Sequence, residues 1–350
     1  MTPDVLWFDD LRTADRPRVG GKCAGLGELI HAGIPVPHGF AVTVDAWRRV
    51  SGRGLSERLD GLVRDAADPA ALRRVHDQAK ELVAAEPLPA GLEQRIRAAY
   101  ARLCELSGRA DLPVAVRSSA VAEDGAATSF AGQQETLLWV AGADRVLAAV
   151  RSCWAGLYTP QAIAYRAGLG EEVRGEAVLM GVAVQEMADA EVAGVGFTVS
   201  PHSGDPSVMA VNASWGLGEM VVSGEVTPDE YWIDKISHRV RRRTITHKAL
   251  RCVPSPSGNG TETVAVPEEL ADAPCLSDEQ LAELAAVMLR VERHYGSAQD
   301  IEWALTGEQR FVVLQSRPET VVSARPAAPV AVPSYLSVVQ SLSGLGRGRR

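Results

Sequence analysis

The chain has 350 residues, 46% apolar and 23% charged, a size and balance suited to two packed lobes with a substantial core. Its formal charge of −8 offers no basic face of the kind nucleic acids need, and no run of about 18 apolar residues is present to cross a membrane. Five scattered cysteines without a C-x-x-C pair read as reduced thiols, and the start shows no signal peptide, so a cytoplasmic protein with neither nucleic-acid nor membrane partners is expected.

In chain order, residues 7–10 predict a short strand, followed by a loop ending at Gly20-Gly21-Lys22. Residues 23–32 predict a helix with Leu26, Leu29 and Ile30 on one stripe. The prolines of 33–39 make that stretch turn-rich and extended. Residues 56–106 are charged, rich in Ala and Leu and helical in pattern, with a break near Pro87 and Pro89. Residues 112–116 predict a buried strand, and Asp144 is expected to cap a helix running to about 157. Residues 177–187 and 192–199 read as two strands of one hairpin with Gln185 and Glu186 near its turn. Further strands are expected at 208–213, at 229–234 with 239–247, and at 301–304 and 311–314. Ser277 and Gln280 form a capping box for a helix burying Leu281, Leu284, Met288 and Leu289. The irregular order of strands and helices favours an α+β fold. Two lobes are expected at 1–190 and 191–322, with a Pro/Ala-rich tail or linker at 323–350.

Several stretches carry chemistry. Gly20-Gly21-Lys22 before a helix could present N–H groups and an ammonium to phosphates, although a turn beside a solvated lysine fits those residues at least as well. Arg117, following an apolar run, could aim a guanidinium fork at a phosphate, or equally pair with Glu123 or Asp124 in a loop. The small-residue stretch 128–134, with Thr128, Ser129, Gly132 and Gln133, suits a loop folding over phosphates. Glu219 ends a glycine-containing exit from a strand, where a ligand contact and an ordinary turn are both reasonable. If 301–304 pairs antiparallel with 311–314, the oxygens of Glu302 and Gln315 can point the same way and hold Mg²⁺, and Arg317 shares the face of Gln315. A carboxylate, an amide and an arginine on one strand face are costly in a core without a ligand.

These motifs, Gly20-Gly-Lys-Cys-Ala-Gly-Leu-Gly-Glu28, Val116-Arg-Ser-Ser-Ala-Val-Ala-Glu-Asp124, Ser129-Phe-Ala-Gly-Gln-Gln-Glu-Thr136, Ser214-Trp-Gly-Leu-Gly-Glu-Met-Val-Val222, Asp300-Ile-Glu-Trp-Ala304 and Leu314-Gln-Ser-Arg-Pro-Glu-Thr320, come in an order that resembles one family. It is the ATP-binding domain of phosphoenolpyruvate synthase, pyruvate phosphate dikinase and rifamycin phosphotransferase. The resemblance covers about 20–320 and implies an ATP-grasp fold with ATP and Mg²⁺ between two lobes. It implies phosphate contacts from Lys22, Arg117 and Arg317, the catalytic set, under a loop containing Thr128, Ser129, Gly132 and Gln133. It also implies adenine beside Gln185, Glu186 and Met187, Glu219 in the nucleotide site, and Mg²⁺ on Glu302 and Gln315. In such enzymes a histidine on a separate domain takes the β-phosphoryl of ATP and passes a phosphoryl group to a small-molecule acceptor. None of the seven histidines here has the glycine-rich setting of that carrier, and His38 and His202 read as surface or turn residues. Three readings follow: the ATP-activating component of a dikinase-type phosphotransferase served by a separate phosphohistidine domain or protein, a stand-alone kinase or ligase acting on a small molecule, or a non-catalytic nucleotide-binding module.

Overall fold

A computed structural model of the protein describes residues 3–52, 54–64, 69–121, 135–160, 162–163 and 179–319. Two antiparallel sheets organise it, each with its own apolar core. The first contains β1 (Val5–Trp7), β2 (Gly39–Val42), β3 (Val114–Ala120), β4 (Thr136–Val140) and β5 (Met180–Glu186), in the order β1-β2-β5-β3-β4. Alternation along β2 and β5 assigns its two faces. Phe40, Val42, Val182 and Val184 meet the helices α2 (Val44–Ser51), α3 (Leu55–Arg64), α4 (Pro69–Ala85), α5 (Leu92–Ser107) and α6 (Ala143–Ala155). The small Ala41 and Ala183 point the other way and let α1 (Arg16–His31) lie close on the opposite face.

The second sheet holds β6 (Ala190–Phe197), β7 (Val208–Trp215), β8 (Asp229–Asp234), β9 (Val240–Thr244), β12 (Gln299–Thr306) and β13 (Phe311–Pro318), in the order β13-β12-β6-β7-β8-β9. Between these strands come α7 (Glu219–Val222), the hairpin β10 (Leu250–Pro254) and β11 (Thr261–Ala265), and α8 (Glu268–Ala271). The long helix α9 (Asp278–Tyr295) covers one face of the sheet, packing Leu281, Leu284 and Met288 against Met209, Val211, Tyr231, Ile301 and Trp303. Its capping box forms as expected: Gln280 N–H donates to Ser277 Oγ at 3.2 Å, and Ser277 N–H donates to Gln280 Oε1 at 2.9 Å.

Several expectations need correction. β5 and β6 are not a hairpin. They are consecutive strands in different sheets, with β5 hydrogen-bonded between β2 and β3, and β6 between β12 and β7. The strand expected at 7–10 ends at Trp7 and gives way to a 3-10 turn. Asp144 lies in the first turn of α6 and pairs with Arg97, leaving the cap position to Gly142. The helix expected from residue 23 begins at Arg16 and is interrupted at Gly20, whose φ is +81°.

Candidate functional site

Arg117 stands in mid-strand on β3, opposite Ala183, and therefore on the face that carries α1. Its guanidinium crosses to the second sheet. Nη2 donates to Glu302 Oε2 at 2.6 Å and to Gln315 Oε1 at 3.1 Å, while Nη1 donates to the Leu314 carbonyl at 3.0 Å. Residues 185 and 198 positions apart in the chain thus form one half-buried cluster between the sheets. The other reading of Arg117, a local pair with Glu123 or Asp124, names partners outside the described residues, and the bond to Glu302 supplies a long-range one.

The register of β12 and β13 explains how the acceptors line up. Glu302 lies opposite Gln315, and Asp300 opposite Arg317, so two cross-strand polar pairs share one face. The ladder then shifts, Trp303 pairing with Val313, and Leu314 is left as the bulge residue whose carbonyl meets Arg117. β13 is a sheet edge, and its Val313 N–H bonds to the Pro35 carbonyl at 2.8 Å, tying that edge to the segment after α1. Arg317 is half-exposed and donates through Nε to Asp300 Oδ2 at 2.8 Å. Burial raises the Asp300 carboxyl pKa from its ordinary value, and Arg317 opposes that shift. Asp300 is the site neighbour that reading residue by residue passed over. The period of two, applied to β12 as it was to Gln315 and Arg317, would have found it.

The remaining candidates spread around this cluster. Lys22, half-buried, sits just past the break in α1, and the next residue, Cys23, donates its N–H to Ser119 Oγ on β3 at 3.2 Å. Gln185 is buried in β5 with its amide on the Pro37 carbonyl at 3.4 Å. The backbone N–H groups of Glu186 and Met187 bond the carbonyls of His38 and Pro113. Met187 packs beside Trp139, Leu217, Met220 and Cys252 where the chain passes from one sheet to the other. Glu219, exposed in the first turn of α7, belongs to that end and lies within 3.7 Å of Cys252 Sγ. An apolar strip of Ala188, Ala193, Ala304, Val312 and Leu314 follows Met187 toward Gln315. Thr128, Ser129, Gly132 and Gln133 lie outside the described residues. His38 and His202 are exposed, and the His202 ring lies 6.0 Å from that of Trp232, tilted by 36°.

The cluster offers groups that could serve an anion and a hard cation. Glu302 and Gln315 supply paired oxygens, which suit Mg²⁺, and Arg117 and Arg317 supply the donors that phosphates take. Arg117 Nε is buried without a hydrogen-bond partner among the described residues, leaving a donor for a further acceptor. Among the described residues no group of three or more His, Cys, Asp or Glu side chains gathers as a metal site, so an ion here would draw its remaining oxygens from ligand and water.

Comparison with known proteins identifies a nucleotide-binding family. Residues 16–334 match the family described as the pyruvate phosphate dikinase AMP/ATP-binding domain. Among individual relatives, a probable phosphoenolpyruvate synthase of Pyrococcus abyssi is 37% identical over 98% of this chain and 46% of its own length. A phosphoenolpyruvate synthase of Neisseria meningitidis is 40% identical over 91% of this chain and 42% of its own. A probable phosphoenolpyruvate synthase of Methanocaldococcus jannaschii is 40% identical over 91% of this chain and 27% of its own. The chain therefore spans between about a quarter and just under half the length of these relatives.

Proposed function

The chain belongs to the pyruvate phosphate dikinase AMP/ATP-binding family, and from that membership we propose that it binds Mg-ATP between its two sheets. We further propose that it activates the nucleotide for transfer of the β-phosphoryl group to a histidine on a separate domain or protein. The fold is α+β and ATP-grasp-like. On this reading the lobes are 1–190 and 191–322, with 323–350 as a linker. The single observation that carries the reading is the meeting of Arg117 with Glu302 and Gln315 across the sheets.

Each residue then has a task. Apolar groups around Met187 and Leu314 would receive adenine at the crossing between sheets. Arg117, Arg317 and Lys22 hold phosphate oxygens and offset the negative charge that spreads over them as a phosphoryl group moves in line. Arg117 can exchange its present acceptors for phosphate oxygens, freeing Glu302 and Gln315 to hold Mg²⁺. The ion, when bound, neutralises phosphate charge. Glu219 serves the hinge end of the nucleotide, and the stretch with Thr128, Ser129, Gly132 and Gln133 covers the phosphates. Five buried cysteines that form no disulfide suit a reducing cytoplasm.

Product analysis tests the reading: purified chain is incubated with Mg-ATP, alone and with a candidate phosphohistidine-domain protein. AMP formed only with that protein is the expected result. ADP formed without it, dependent on a small acceptor, would replace the proposal with a stand-alone kinase or ligase. Absence of Mg-ATP binding in calorimetry would remove the nucleotide site altogether.

A further inference from the structure

We propose that Ser119 is a positioning residue that sets the place of Lys22, by capping in trans the helix segment on which Lys22 stands. The inference rests on the nucleotide reading above and deepens it. α1 is broken at Gly20, where φ is +81° and ψ 171°, so a new helical run starts just after it. The first N–H groups of any helical run lack partners within the helix, and a side-chain oxygen at the cap usually takes one of them. Gly20 has no side chain to offer. It cannot gain one, because a Cβ there would stand 1.9 Å from the Ser119 carbonyl oxygen.

The oxygen comes from the neighbouring strand instead. Ser119 is fully buried, and its Oγ accepts the Cys23 N–H at 3.2 Å. The same closeness repeats one strand over. Ser119 pairs with Gly181 on β5, and a Cβ at Gly181 would reach within 2.3 Å of the Val19 carbonyl oxygen. Two glycines thus let the helix start rest directly on β3 and β5, and one hydroxyl fixes it there. Arg117 is two residues before Ser119 on the same strand face. One strand therefore carries the arginine that reaches Glu302 and registers the helix start bearing Lys22, so both cations are placed from the same backbone. A hydroxyl matters here because its oxygen is the acceptor that ties the Cys23 N–H to β3.

The test is a double-mutant cycle read by calorimetric Mg-ATP affinity on the full chain, with thermal melts to establish folding. Ser119→Ala should weaken Mg-ATP binding measurably, by no more than the loss that Lys22→Ala itself produces. In a Lys22→Ala background the same change should have almost no further effect, because the residue it positions is gone. An equal loss in both backgrounds, or no loss in either, overturns the proposal, since a merely structural serine would act additively. Should Ser119→Ala be too unstable to purify, Ser119→Cys keeps the shape with a weak acceptor and enters the same cycle. Unchanged affinity in Lys22→Ala alone would overturn this inference while leaving Arg117 and Glu302 variants to decide the nucleotide reading separately.

Discussion

Replacing Arg117 by methionine separates the two tasks of this side chain. In the protein as described, its guanidinium satisfies Glu302, Gln315 and the Leu314 carbonyl. Methionine keeps much of the apolar stem and removes every one of those bonds. Breaking one side of a fully buried ion pair costs about 3–5 kcal/mol. Here the side chains retain 11% and 20% exposure, so water partly relieves Glu302 and a loss of about 2 kcal/mol in unfolding free energy is expected. Mg-ATP affinity should fall separately, by roughly 10- to 100-fold, the equivalent of about 1.5–3 kcal/mol for hydrogen bonds to a charged group. A second change, Glu302→Gln added to Arg117→Met, removes the stranded charge. Stability should recover by about 1 kcal/mol or more, while affinity stays low, because neither the phosphate fork nor the carboxylate is restored. Chemical denaturation and titration calorimetry on the wild type and these two variants read both quantities. If affinity recovers together with stability in the double variant, Arg117 is a structural bridge between the sheets and the site assignment is wrong.

Other changes test the frame around this site. Gly20→Ala should destabilise the fold by about 3 kcal/mol or more in denaturant melts, since it combines a positive φ with a clash against the Ser119 carbonyl oxygen. Gly25→Ala on the same helix meets nothing within 4 Å and should stabilise by about 0.5–1 kcal/mol. Lys248→Met should be among the most damaging distant changes, at about 3–5 kcal/mol, because Lys248 Nζ and Asp229 Oδ1 form a fully buried pair at 2.7 Å. That pair also holds Tyr231, Thr246 and the Cys275 backbone, and per-molecule nucleotide affinity of the folded fraction should be unchanged. Asp300→Asn should alter the pH profile of stability. Burial raises the folded carboxyl's pKa, so its favourable contribution is full below the ordinary carboxylate range and is lost as pH rises through the raised value. Melts at about pH 4 and pH 7 should show the variant gaining on the wild type at the higher pH, and a constant difference would refute the sign.

How far the site could be read from the chain depended on the range of the forces that make it. The pairing of Glu302 with Gln315 was legible because two short apolar runs separated by a turn pair locally, and the period of two then assigns their faces. The capping box at Ser277 was legible for the same reason, since both partners lie within three residues. The separation of β5 from β6 was not. Both are apolar runs joined by the three residues 187–189, a spacing as suitable for a hairpin as for a crossing between sheets. What decides it lies far away. β5 is buried on both faces and has hydrogen-bonding partners on both edges, residues 39–42 and 114–120, which leaves no edge for β6. The two strands are joined by a short connection but held in different sheets, and Arg117 meets Glu302 between those sheets. The error and the site therefore have one cause. A pairing that local pattern favours has given way to long-range pairing, and the crossing between sheets is where the proposed nucleotide site lies.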